Sequence, residues 1–587
     1  MRFIVVNFIA LVASSVSAAE VLVEAEGFAN HGGWVLDPQF LDVMGSPYLL
    51  AHGLGQPVTN AVTQVEFPEA GTYRLWVRTK DWAPSHHPGR FRIVIDGREV
   101  PTEFGSRGDG WIWQDGGTVE IRMPQVKIEL QDLTGFDGRC DALFFTTDRE
   151  FVPPREPDER MTAWRQMLLG LPEAPPSAGQ FDVVVVGGGI AGCSAALTAA
   201  RLGLQVAFVQ NRPVLGGNAS PEIGITARGQ NRSVVREVAG SAREQIIRGE
   251  KNIHLYLDWH VFRAATKGNR IESIDAKNTV TSRELRFAAP VFIDCTGTGS
   301  VGSLAGAEFR TGREAKSEFN ESLAPERADK LHHGNTVVFS TRTSNRPTSF
   351  PEVPWATAVS KDYADLGGQV TGDHDNEGGL THYWEYGQRL DPFQDAEDIR
   401  DHLFCAIYGT FATAKHRHPD KYANLELERV GHISAGGESR RLMGDYILTE
   451  NDVRSGKVFA DAAALCSGHF CLHYPGDEYD FRLGGWKWIP VPLFTVPFRS
   501  LYSRNIENLM MAGKHISVSH IAGSATKTML NGGQTGVAAG AAAFLCQKHR
   551  VVPRDVGQRH VKELQEILLE QGQYKDSLKS KTQNDPS

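Results

Sequence analysis

Apolar and polar residues alternate along short segments between about residues 20 and 148. The alternation is clear in "EVLVEAE", "TQVEFPEAGTYRLWVRT", "GRFRIVIDGREV", "TVEIRMPQVKIELQDL" and "CDALFFTTD", and turn sequences such as Asp96-Gly97 separate the segments. A repeat of two residues directs successive side chains to opposite faces of a β-strand. The pattern therefore predicts an all-β sandwich over residues 20–148.

Four tryptophans lie among these segments, close to polar residues: Trp34, Trp82, Trp111 and Trp113. Aromatic rings beside hydrogen-bonding side chains suit sugars, but rings of this size also fill sandwich cores, so both roles stay open. The stretches "AGTYRLWVRT" and "DLTGFDGRCDALFFTTD" resemble carbohydrate-binding jelly-roll domains of the golvesin C-terminal-like kind. That resemblance implies a jelly-roll fold and sugar binding for this domain.

The pattern changes after this region. Residues 149–180 are rich in proline and charge around one short helical pattern, which predicts a linker. Beyond them strands alternate with helices, which favours an α/β domain with a parallel sheet. The stretch "FDVVVVGGGIAGCSAALTAARLGLQVAFVQ", residues 181–210, predicts a strand, a glycine turn, a helix and a second strand. The pattern over residues 551–587 predicts a helix that is followed by a polar tail.

The glycine turn carries a dinucleotide-binding spacing, G-x-G-x-x-G, at Gly187, Gly189 and Gly192. The first glycine permits the tight turn, the second lets backbone amides approach a pyrophosphate, and the third lets helix and strand pack closely. The N-terminus of the helix adds partial positive charge for the phosphates. The second strand ends at Gln210, where such sites usually place an acid that binds the ribose hydroxyls, so the glutamine is expected to weaken binding.

Charge and cysteine usage exclude several classes of function. The net charge of -9 and the absence of a basic tract argue against a nucleic-acid partner. The seven cysteines lack C-x-x-C or cluster spacing, so metal and iron–sulfur ligation have no support. We expect them to be small buried residues, with a Cys466–Cys471 disulfide as the one pairing open to an exported chain.

The first residues, "MRFIVVNFIALVASSVSAAE", place Arg2 before an apolar run that ends in small residues. This is the pattern of a secretory signal over residues 1–19, with cleavage near Ala18 or Ala19. The run is too short for a membrane anchor, and no later segment is long and apolar enough to cross a bilayer. A secreted or periplasmic location is therefore expected.

Further motifs follow the glycine turn in a fixed order: "PVLGGNASPEIG" (213–224), "FIDCTGTGSVGSLAGAEFRTGRE" (292–314), "GESRRLMGDYILTENDV" (437–453), "VPFRSLYSRNIENLMMAGKHIS" (496–517) and "SATKTMLNGGQTGVAAGAAA" (524–543). With the first turn, they resemble a family of secreted bacterial FAD-dependent oxidoreductases with a glutathione-reductase-like FAD fold. The resemblance implies a multidomain chain in which the N-terminal all-β jelly-roll sandwich precedes an α/β Rossmann-like domain with an inserted substrate region. The implied ranges are 181–314 and 501–550 for the two parts of the FAD-binding domain and 315–500 for the insertion.

The same resemblance implies FAD as cofactor and a set of residues that bind it. The set is Gly187, Gly189, Gly192, Gln210, Gly216, Gly217, Asn218, Thr296, Gly297, Gly513, Lys514 and Gly532. The stretch "TGTGS" lacks aspartates that relatives carry, and the cysteines that bind iron–sulfur clusters in the heterodisulfide reductase branch are absent. The alanines after Val537 indicate close helix packing.

Flavin oxidation of a hydroxyl also requires a group that removes a proton, and histidine suits this role near neutral pH. The candidates are His515 and His520 in "AGKHISVSHIAGS" and His432 in "ERVGHISAGGESRR". Most of the chain's twenty histidines must have other roles, so a structural role is the alternative for each.

Substrate contacts are predicted in the inserted region. Glu438, Arg440 and Arg441 offer charged groups for a polar substrate, or alternatively an internal ion-pair network. The stretch "TGDHDNEGGLTHYWEYG" (371–387) concentrates histidine and acidic residues without a recognised metal spacing, so it predicts a polar substrate loop with His382 and a stacking Trp384.

The sequence as a whole therefore predicts an exported FAD-dependent oxidoreductase that oxidises a carbohydrate hydroxyl and passes electrons to an unknown acceptor. Two alternatives stay open. One is a glycan-binding surface protein that keeps a nucleotide-binding fold without turnover, which Gln210 suggests. The other is a nicotinamide-dependent reductase.

Overall fold

The computed structural model describes residues 18–356, 385–438, 440–473 and 487–572. Predicted substrate residues His382 and Trp384 lie outside these ranges. The chain divides into two compact units. The first draws on residues 1–35, 49–51 and 57–171, and the second on 36–48, 52–56 and 172–587. Two short segments from within the predicted sandwich thus belong to the second unit.

Residues 18–171 contain ten strands and two α-helices. The elements are β1 (Glu20–Glu24), β2 (Val35–Asp37), α1 (Leu41–Met44), β3 (Tyr48–Ala51), β4 (Ala61–Glu66), β5 (Gly71–Lys80), β6 (Phe91–Ile95), β7 (Arg98–Glu99), β8 (Trp111–Ile121), β9 (Gln125–Asp132), β10 (Gly138–Thr146) and α2 (Glu159–Leu168). Antiparallel pairs join β1, β3 and β5 to β10 and β5 to β8 in one sheet. A second antiparallel sheet has the order β4-β9-β6-β7.

The tryptophans of the first unit mostly fill its core. Trp34, Trp82 and Trp113 are 3%, 7% and 7% exposed, and Trp34 packs edge-on against Phe91 at 5.6 Å between ring centroids. The indole Nε1 of Trp82 donates to the carbonyl oxygen of Phe136. Burial removes these three rings from any sugar-binding surface, so the core interpretation holds for them; Trp111 is partly exposed.

The predicted linker contains an ordered helix. Asp158 caps α2 by accepting from the backbone amides of Arg160 and Met161, the usual role of an aspartate at this position. Trp164 of α2 packs on Phe144 of β10 at 4.9 Å between ring centroids. Apolar packing of one helical face holds this segment on the first unit.

The second unit begins with β11 (Ser177–Gln180) and alternates strands and helices up to residue 304. These elements are β12 (Val183–Val186), α3 (Ile190–Arg201), β13 (Val206–Val209), α4 (Val234–Val238), α5 (Arg243–Gly249), β14 (Ile253–Tyr256), β15 (Trp259–Lys267), β16 (Arg270–Asn278), β17 (Glu284–Ala288), β18 (Val291–Asp294) and α6 (Ser300–Leu304).

The inserted region and the C-terminal part follow. Their elements are β19 (Phe309–Arg310), α7 (Lys316–Phe319), β20 (Asn335–Thr336), β21 (Phe339–Thr343), β22 (Glu385–Tyr386), α8 (Ala396–Arg417), α9 (Pro419–Tyr422), β23 (Leu425–Val430), β24 (Ala435–Gly436), β25 (Arg441–Leu442), α10 (Glu450–Arg454), β26 (Ala462–Leu472), β27 (Lys487–Pro497), β28 (Leu509–Met511), α11 (His520–Thr526), α12 (Met529–His549), α13 (Pro553–Arg559) and α14 (Val561–Glu570).

A five-stranded parallel sheet forms the centre of the second unit. Its order is β14-β13-β12-β18-β28, and each adjacent pair is parallel. The four valines of β12 are buried, as expected for a central strand covered on both faces. The predicted strand, turn, helix and strand over residues 181–210 are confirmed as β12, α3 and β13.

Helices α3 and α12 pack closely against each other. A Cβ atom built on Gly536 would lie 2.1 Å from the carbonyl oxygen of Ala191, and one on Gly540 would lie 2.4 Å from that of Ala195. Only glycine permits such an approach of the two backbones. The prediction that the alanine-rich stretch after Val537 packs against another helix is confirmed.

The inserted region adds small antiparallel sheets. β20 pairs with β22 and β24, and β26 pairs with β27. All seven cysteines are free, so the Cys466–Cys471 pairing left open for an exported chain does not form. Both residues lie on β26, where a five-residue separation amounts to about 16 Å, far beyond the reach of a disulfide. None of the helices in the described part of the chain has the length and hydrophobicity needed to span a bilayer.

Candidate active site

A cavity of about 380 Å³ lies at the carboxyl ends of the parallel strands. Gly187 directly follows the end of β12. Thr296 and Gly513 are the second residues after the ends of β18 and β28, and all three residues line the cavity. Ligands of open α/β sheets bind at this edge because the turns there expose backbone groups and helix N-termini.

The first glycine turn has two glycines that the fold itself requires. Gly187 has φ +103, and a Cβ there would lie 2.4 Å from the carbonyl oxygen of Cys295. A Cβ on Gly192 would lie 1.8 Å from the carbonyl oxygen of Gly187, and Gly192 does not line the cavity. Gly189 differs, because no atom lies within 4 Å of its Cβ position. Its bare backbone faces the open cavity at the start of α3.

The second glycine pair lies against the first glycine turn in the wall of the cavity. Gly216 has φ +129, and its amide donates to the carbonyl oxygen of Gly188 at 2.7 Å. A Cβ on Gly217 would lie 3.3 Å from the Cα of Gly189. The side-chain Nδ2 of Asn218 lies 3.4 Å from the carbonyl oxygen of Gly436. Two segments predicted to bind one cofactor are therefore in direct contact, and both line the cavity.

Gln210 braces the first turn with both ends of its side-chain amide. Its Oε1 accepts from the backbone amide of Gly188 at 2.7 Å, and its Nε2 donates to the carbonyl oxygen of Val214 at 3.0 Å. A carboxylate would keep the first bond and lose the second. The glutamine thus fits the local backbone, and it lines the cavity as predicted for a residue beside the adenosine.

Two further parts of the cavity wall come from segments far along the chain, after β18 and after β28. Asp294, fully buried, accepts from the amide and the hydroxyl of Thr296, which shapes the turn that continues to Gly297. Gly513 donates to the hydroxyl of Thr535 in α12 at 3.0 Å. A Cβ on Gly532 would lie 3.1 Å from the Cα of Gly513, so the start of α12 approaches this turn closely.

This donor set fits FAD. Bare glycine backbone at the N-terminus of α3 suits a pyrophosphate, which accepts hydrogen bonds from amides. Of the twelve predicted cofactor residues, eleven line the cavity and Gly192 supports the turn from behind.

His515 does not face the cavity, contrary to expectation. It is fully buried, its Nε2 lies 3.0 Å from the carbonyl oxygen and 3.2 Å from a carboxylate oxygen of Asp294, and it is absent from the cavity wall. The neighbouring residue Lys514 takes the cavity-facing position, because consecutive side chains in this turn point to different sides. His515 therefore holds the end of β18 in place.

The other two histidines also stand behind the wall. His432 is half-buried, and burial lowers its pKa to about 3. His520 is 2% exposed, and its Nδ1 lies 2.9 Å from the carboxylate of Glu438. Since Glu438 lines the cavity, His520 reaches the site through that carboxylate, whereas His432 has no such link.

The predicted charged triplet separates into different environments. Arg441 is buried and bonds the carboxylates of Glu438 and Glu314, which is the internal ion-pair network that the sequence left open. Although burial opposes its charge, His520 and Arg441 lower the pKa of Glu438 to about 2. Arg440 stacks its guanidinium on Phe393 at 3.5 Å and lies 3.3 Å from the carbonyl oxygen of Thr298.

One end of the cavity is lined by polar side chains. Lys514 donates from Nζ to the carbonyl oxygen of Gly436 at 2.6 Å. Burial, together with the ammonium group of Lys527, lowers the pKa of Lys514 to about 8. Lys527 also lines the cavity, and its Nζ lies 2.8 Å from Nδ1 of the buried His333. Burial and Lys527 hold the pKa of His333 well below its usual range.

A second histidine continues this polar cluster. The rings of His333 and His473 are 4.9 Å apart, and Nδ1 of His473 lies 2.6 Å from the Glu385 carboxylate. Although burial disfavours the imidazolium, Glu385 raises the pKa of His473 to about 9. Glu385 belongs to the predicted polar loop, whereas His333, His473 and Lys527 were not predicted as site residues.

The N-terminal segment 36–48 supplies another unpredicted part of the wall. Gln39, Phe40 and Asp42 line the cavity, and Asp42 lies 2.6 Å from Nε2 of His260, which also lines it. No local motif marks these residues. Lys527 lies between two helices, as the C-cap of α11 and just before α12, and no local motif marks it either.

Comparison with known proteins gives a family match over most of the second unit. A family model described as FAD dependent oxidoreductase matches residues 182–249 and 226–568, about two thirds of the chain. A tRNA uridine 5-carboxymethylaminomethyl modification enzyme of Caldicellulosiruptor saccharolyticus is 48% identical over 63 residues, 10% of each chain. Glycerol-3-phosphate dehydrogenase 2 of Mycobacterium tuberculosis is 41% identical over 64 residues, 11% of this chain and 9% of the relative. The chain thus matches about a tenth of the length of these curated relatives.

Two solved structures are similar to parts of the chain at low TM-scores. A family 35 carbohydrate binding module from Clostridium thermocellum is 21% identical, covering 22% of this chain and 97% of that chain, with a TM-score of 0.19. A geranylgeranyl bacteriochlorophyll reductase-like protein from Thermoplasma acidophilum is 11% identical, covering 67% and 83%, with a TM-score of 0.28.

Proposed function

The chain belongs to the FAD dependent oxidoreductase family and is an FAD-dependent enzyme, and on that premise we propose that it oxidises a hydroxyl group of a carbohydrate. The observation that carries the proposal is the continuity of the cavity, in which a glycine-built cradle adjoins an end lined by Asn335, Glu438, Lys514 and Lys527. Sugar hydroxyls both donate and accept hydrogen bonds, and this end offers both kinds of partner.

The chemistry assigns the protein two tasks. Oxidation of an alcohol breaks its C–H bond and its O–H bond and leaves a carbonyl. FAD, when bound, accepts the hydride at N5 of its ring system. The chain must orient the alcohol and take up its proton, and a base whose pKa lies near the working pH does this best.

Lys514 is the proton acceptor in this proposal. It lines the cavity, and its pKa of about 8 leaves an appreciable fraction of neutral amine near neutral pH. Glu438, with a pKa of about 2, is too weak a base and serves as a fixed hydrogen-bond acceptor held by Arg441 and His520. The three histidines predicted as catalytic therefore give way to a lysine, and His520 becomes a positioning residue.

Export and glycan binding complete the proposal. The signal pattern in residues 1–19 supports secretion or passage to the periplasm, and the jelly-roll resemblance of residues 20–148 supports contact with glycans. The intact mass of the mature protein would test export, because cleavage near Ala18 or Ala19 removes the segment before it. Retention of the segment at full length would contradict it.

The decisive experiment is anaerobic reduction of the purified holoenzyme by a panel of sugars and glycosides, followed as loss of flavin absorbance. We expect at least one sugar to bleach the flavin. Lys514→Met should retain FAD and slow the bleaching by about 100-fold, because general base catalysis contributes roughly that factor. Lys251→Met, at an exposed lysine, is the matched control and should react normally. A panel in which no sugar reduces the flavin would refute the proposal.

A further inference from the structure

Lys527 places an ammonium group in the cavity without a carboxylate beside it. Its Nζ contacts the imidazole of His333, at 2.8 Å from Nδ1 and 3.3 Å from Nε2. Among the described residues, no acidic side chain lies within the 4.0 Å that defines an ion pair with it. Because an uncompensated charge in a partly buried position is costly, a ligand that brings the opposite charge would stabilise this arrangement.

The carboxylates of the surrounding cluster already have partners. Glu438 bonds Arg441 and His520, and Glu385 bonds His473 at 2.6 Å. Each of these acids sits within hydrogen-bond distance of its own cation or imidazole. Neither acid can turn to Lys527 without breaking those bonds, so the described part of the chain supplies Lys527 with no carboxylate partner.

Neighbouring groups add to the positive potential at this point. Lys514 lies close enough for its pKa to be lowered by Lys527. Thr528, the N-cap of the 21-residue helix α12, directly follows Lys527, and the helix N-terminus carries partial positive charge. Lys527 is itself the C-cap of α11, an end that favours a cation, whereas the adjoining N-terminus of α12 favours an anionic ligand.

We propose that Lys527 binds a carboxylate of the substrate, so that the enzyme acts on an acidic sugar of the hexuronic acid type. The inference rests on the proposed function and makes its substrate class specific. The carboxylate would accept hydrogen bonds from Nζ of Lys527 and stand before the N-terminus of α12. A hydroxyl of the same sugar would then lie toward Lys514, the proton acceptor.

A carboxylate fits this end better than two other ligands. A phosphate monoester brings close to two negative charges, whereas Lys527 is the one ammonium group among the described residues at this end when Lys514, the other lysine in the wall, is the neutral proton acceptor. His333 with Glu385 and His473, and His333 with Glu438 and His520, are each close enough to hold a metal ion. The ammonium group of Lys527 against His333 opposes a cation in both sets.

The experiment compares matched sugar pairs on the holoenzyme. D-Glucuronate is paired with D-glucose and D-galacturonate with D-galactose, each also as the methyl glycoside, with glucose 6-phosphate as a phosphate arm. Two readouts are taken: perturbation of the flavin spectrum by binding, and the rate of anaerobic flavin reduction. The proteins are the native chain, Lys527→Met, Lys527→Arg and the exposed control Lys251→Met.

The expected result is a preference for the acid of at least one pair, by about tenfold or more in kcat/KM. Lys527→Met should abolish that preference through KM, so that kcat/KM falls about tenfold more for the acid than for the neutral sugar, and Lys527→Arg should restore part of it. Equal or better reaction of the neutral sugars, preference for the phosphate, loss of FAD in Lys527→Met, or binding that requires an added divalent cation would each overturn the inference.

The same readouts separate this inference from the proposed function. Flavin reduction by neutral sugars alone would keep hydroxyl oxidation and overturn the carboxylate site. Spectral binding of the uronates that Lys527→Met abolishes, without reduction by any sugar, would keep the carboxylate site and overturn hydroxyl oxidation.

Discussion

The two ends of the cavity are built from different groups of the chain, one from backbone and the other from side chains. The cofactor end is made of backbone, at glycines that expose amides and leave room for a ligand. The substrate end is made of side chains, with Lys514, Lys527 and Glu438 in the wall and His333 behind them. Backbone cradles depend on local conformation, whereas the side-chain cluster depends on elements that meet only after folding.

This difference explains how each end tolerates substitution. A turn built from glycine fails as soon as a Cβ is added where another backbone already lies. A cluster of charges instead changes its affinity and its titration in steps, because each pair contributes separately. The following predictions use that contrast, from the largest expected effect to the smallest.

Gly192→Ala should disable the cofactor end altogether. The added Cβ would lie 1.8 Å from the carbonyl oxygen of Gly187, so β12 and α3 must separate. We expect the free energy of unfolding to fall by about 3 kcal/mol or more and FAD to be lost. Thermal unfolding and flavin absorbance check this. Gly249→Ala, where no atom lies within 4 Å of the Cβ position, is the control, and an unchanged Gly192→Ala variant would contradict the packing argument.

The His473–Glu385 pair should make the substrate end sensitive to alkaline pH. In the folded protein the pKa of His473 is about 9, above the ordinary value of 6.5. The stabilisation of the folded state by the pair is therefore complete below pH 6.5 and is lost as the pH rises through 9. The loss should be on the order of 3 kcal/mol. Denaturant unfolding at pH 6 and pH 9.5 measures it, and Glu385→Gln should reduce the difference. Parallel pH curves for the two proteins would show that the pair contributes nothing.

Gly189→Ala should separate cofactor binding from folding. Its Cβ would enter open cavity, and its backbone, with φ -66, accepts alanine without strain. The variant apoprotein should therefore have the same unfolding temperature as the unmutated apoprotein. Its affinity for FAD should fall at least about tenfold, or 1.4 kcal/mol, because the methyl group occupies the pyrophosphate position. Titration of apoprotein with FAD tests this. Native affinity would mean that the cofactor does not approach this backbone.

Gln210→Glu should have the smallest effect. The carboxylate can still accept from the amide of Gly188 but cannot donate to the carbonyl oxygen of Val214. We expect a loss of about 1 kcal/mol in stability, the usual contribution of one hydrogen bond, and a change in FAD affinity below tenfold. A large gain in affinity would show that the ribose, and not the turn, determines this position.

Some of the site could be predicted from sequence and some could not, for physical reasons. The spacing of Gly187, Gly189 and Gly192 carries its own geometry, since a strand, a tight turn and a helix are local structures. His515 was misplaced because a motif fixes where the backbone turns but not the side to which each side chain points. The Cys466–Cys471 pairing left open does not form for a related reason, because two cysteines on one strand cannot meet.

The substrate end left almost no local trace. His333, Glu385, His473 and Lys527 come from four separate segments of the chain, and β20, β22, β26 and α12 bring them together. Single polar residues in such segments look like many others in a chain with twenty histidines.

Sequence alone determined the nucleotide-binding turn, the parallel sheet around it and the cofactor, because each depends on interactions between near neighbours or on an ordered set of motifs. Tertiary structure alone decided which polar groups share the cavity and which carry charge there. Titration and charge pairing depend on burial and on distances of a few ångströms between segments far apart in the chain, and no linear pattern encodes those distances.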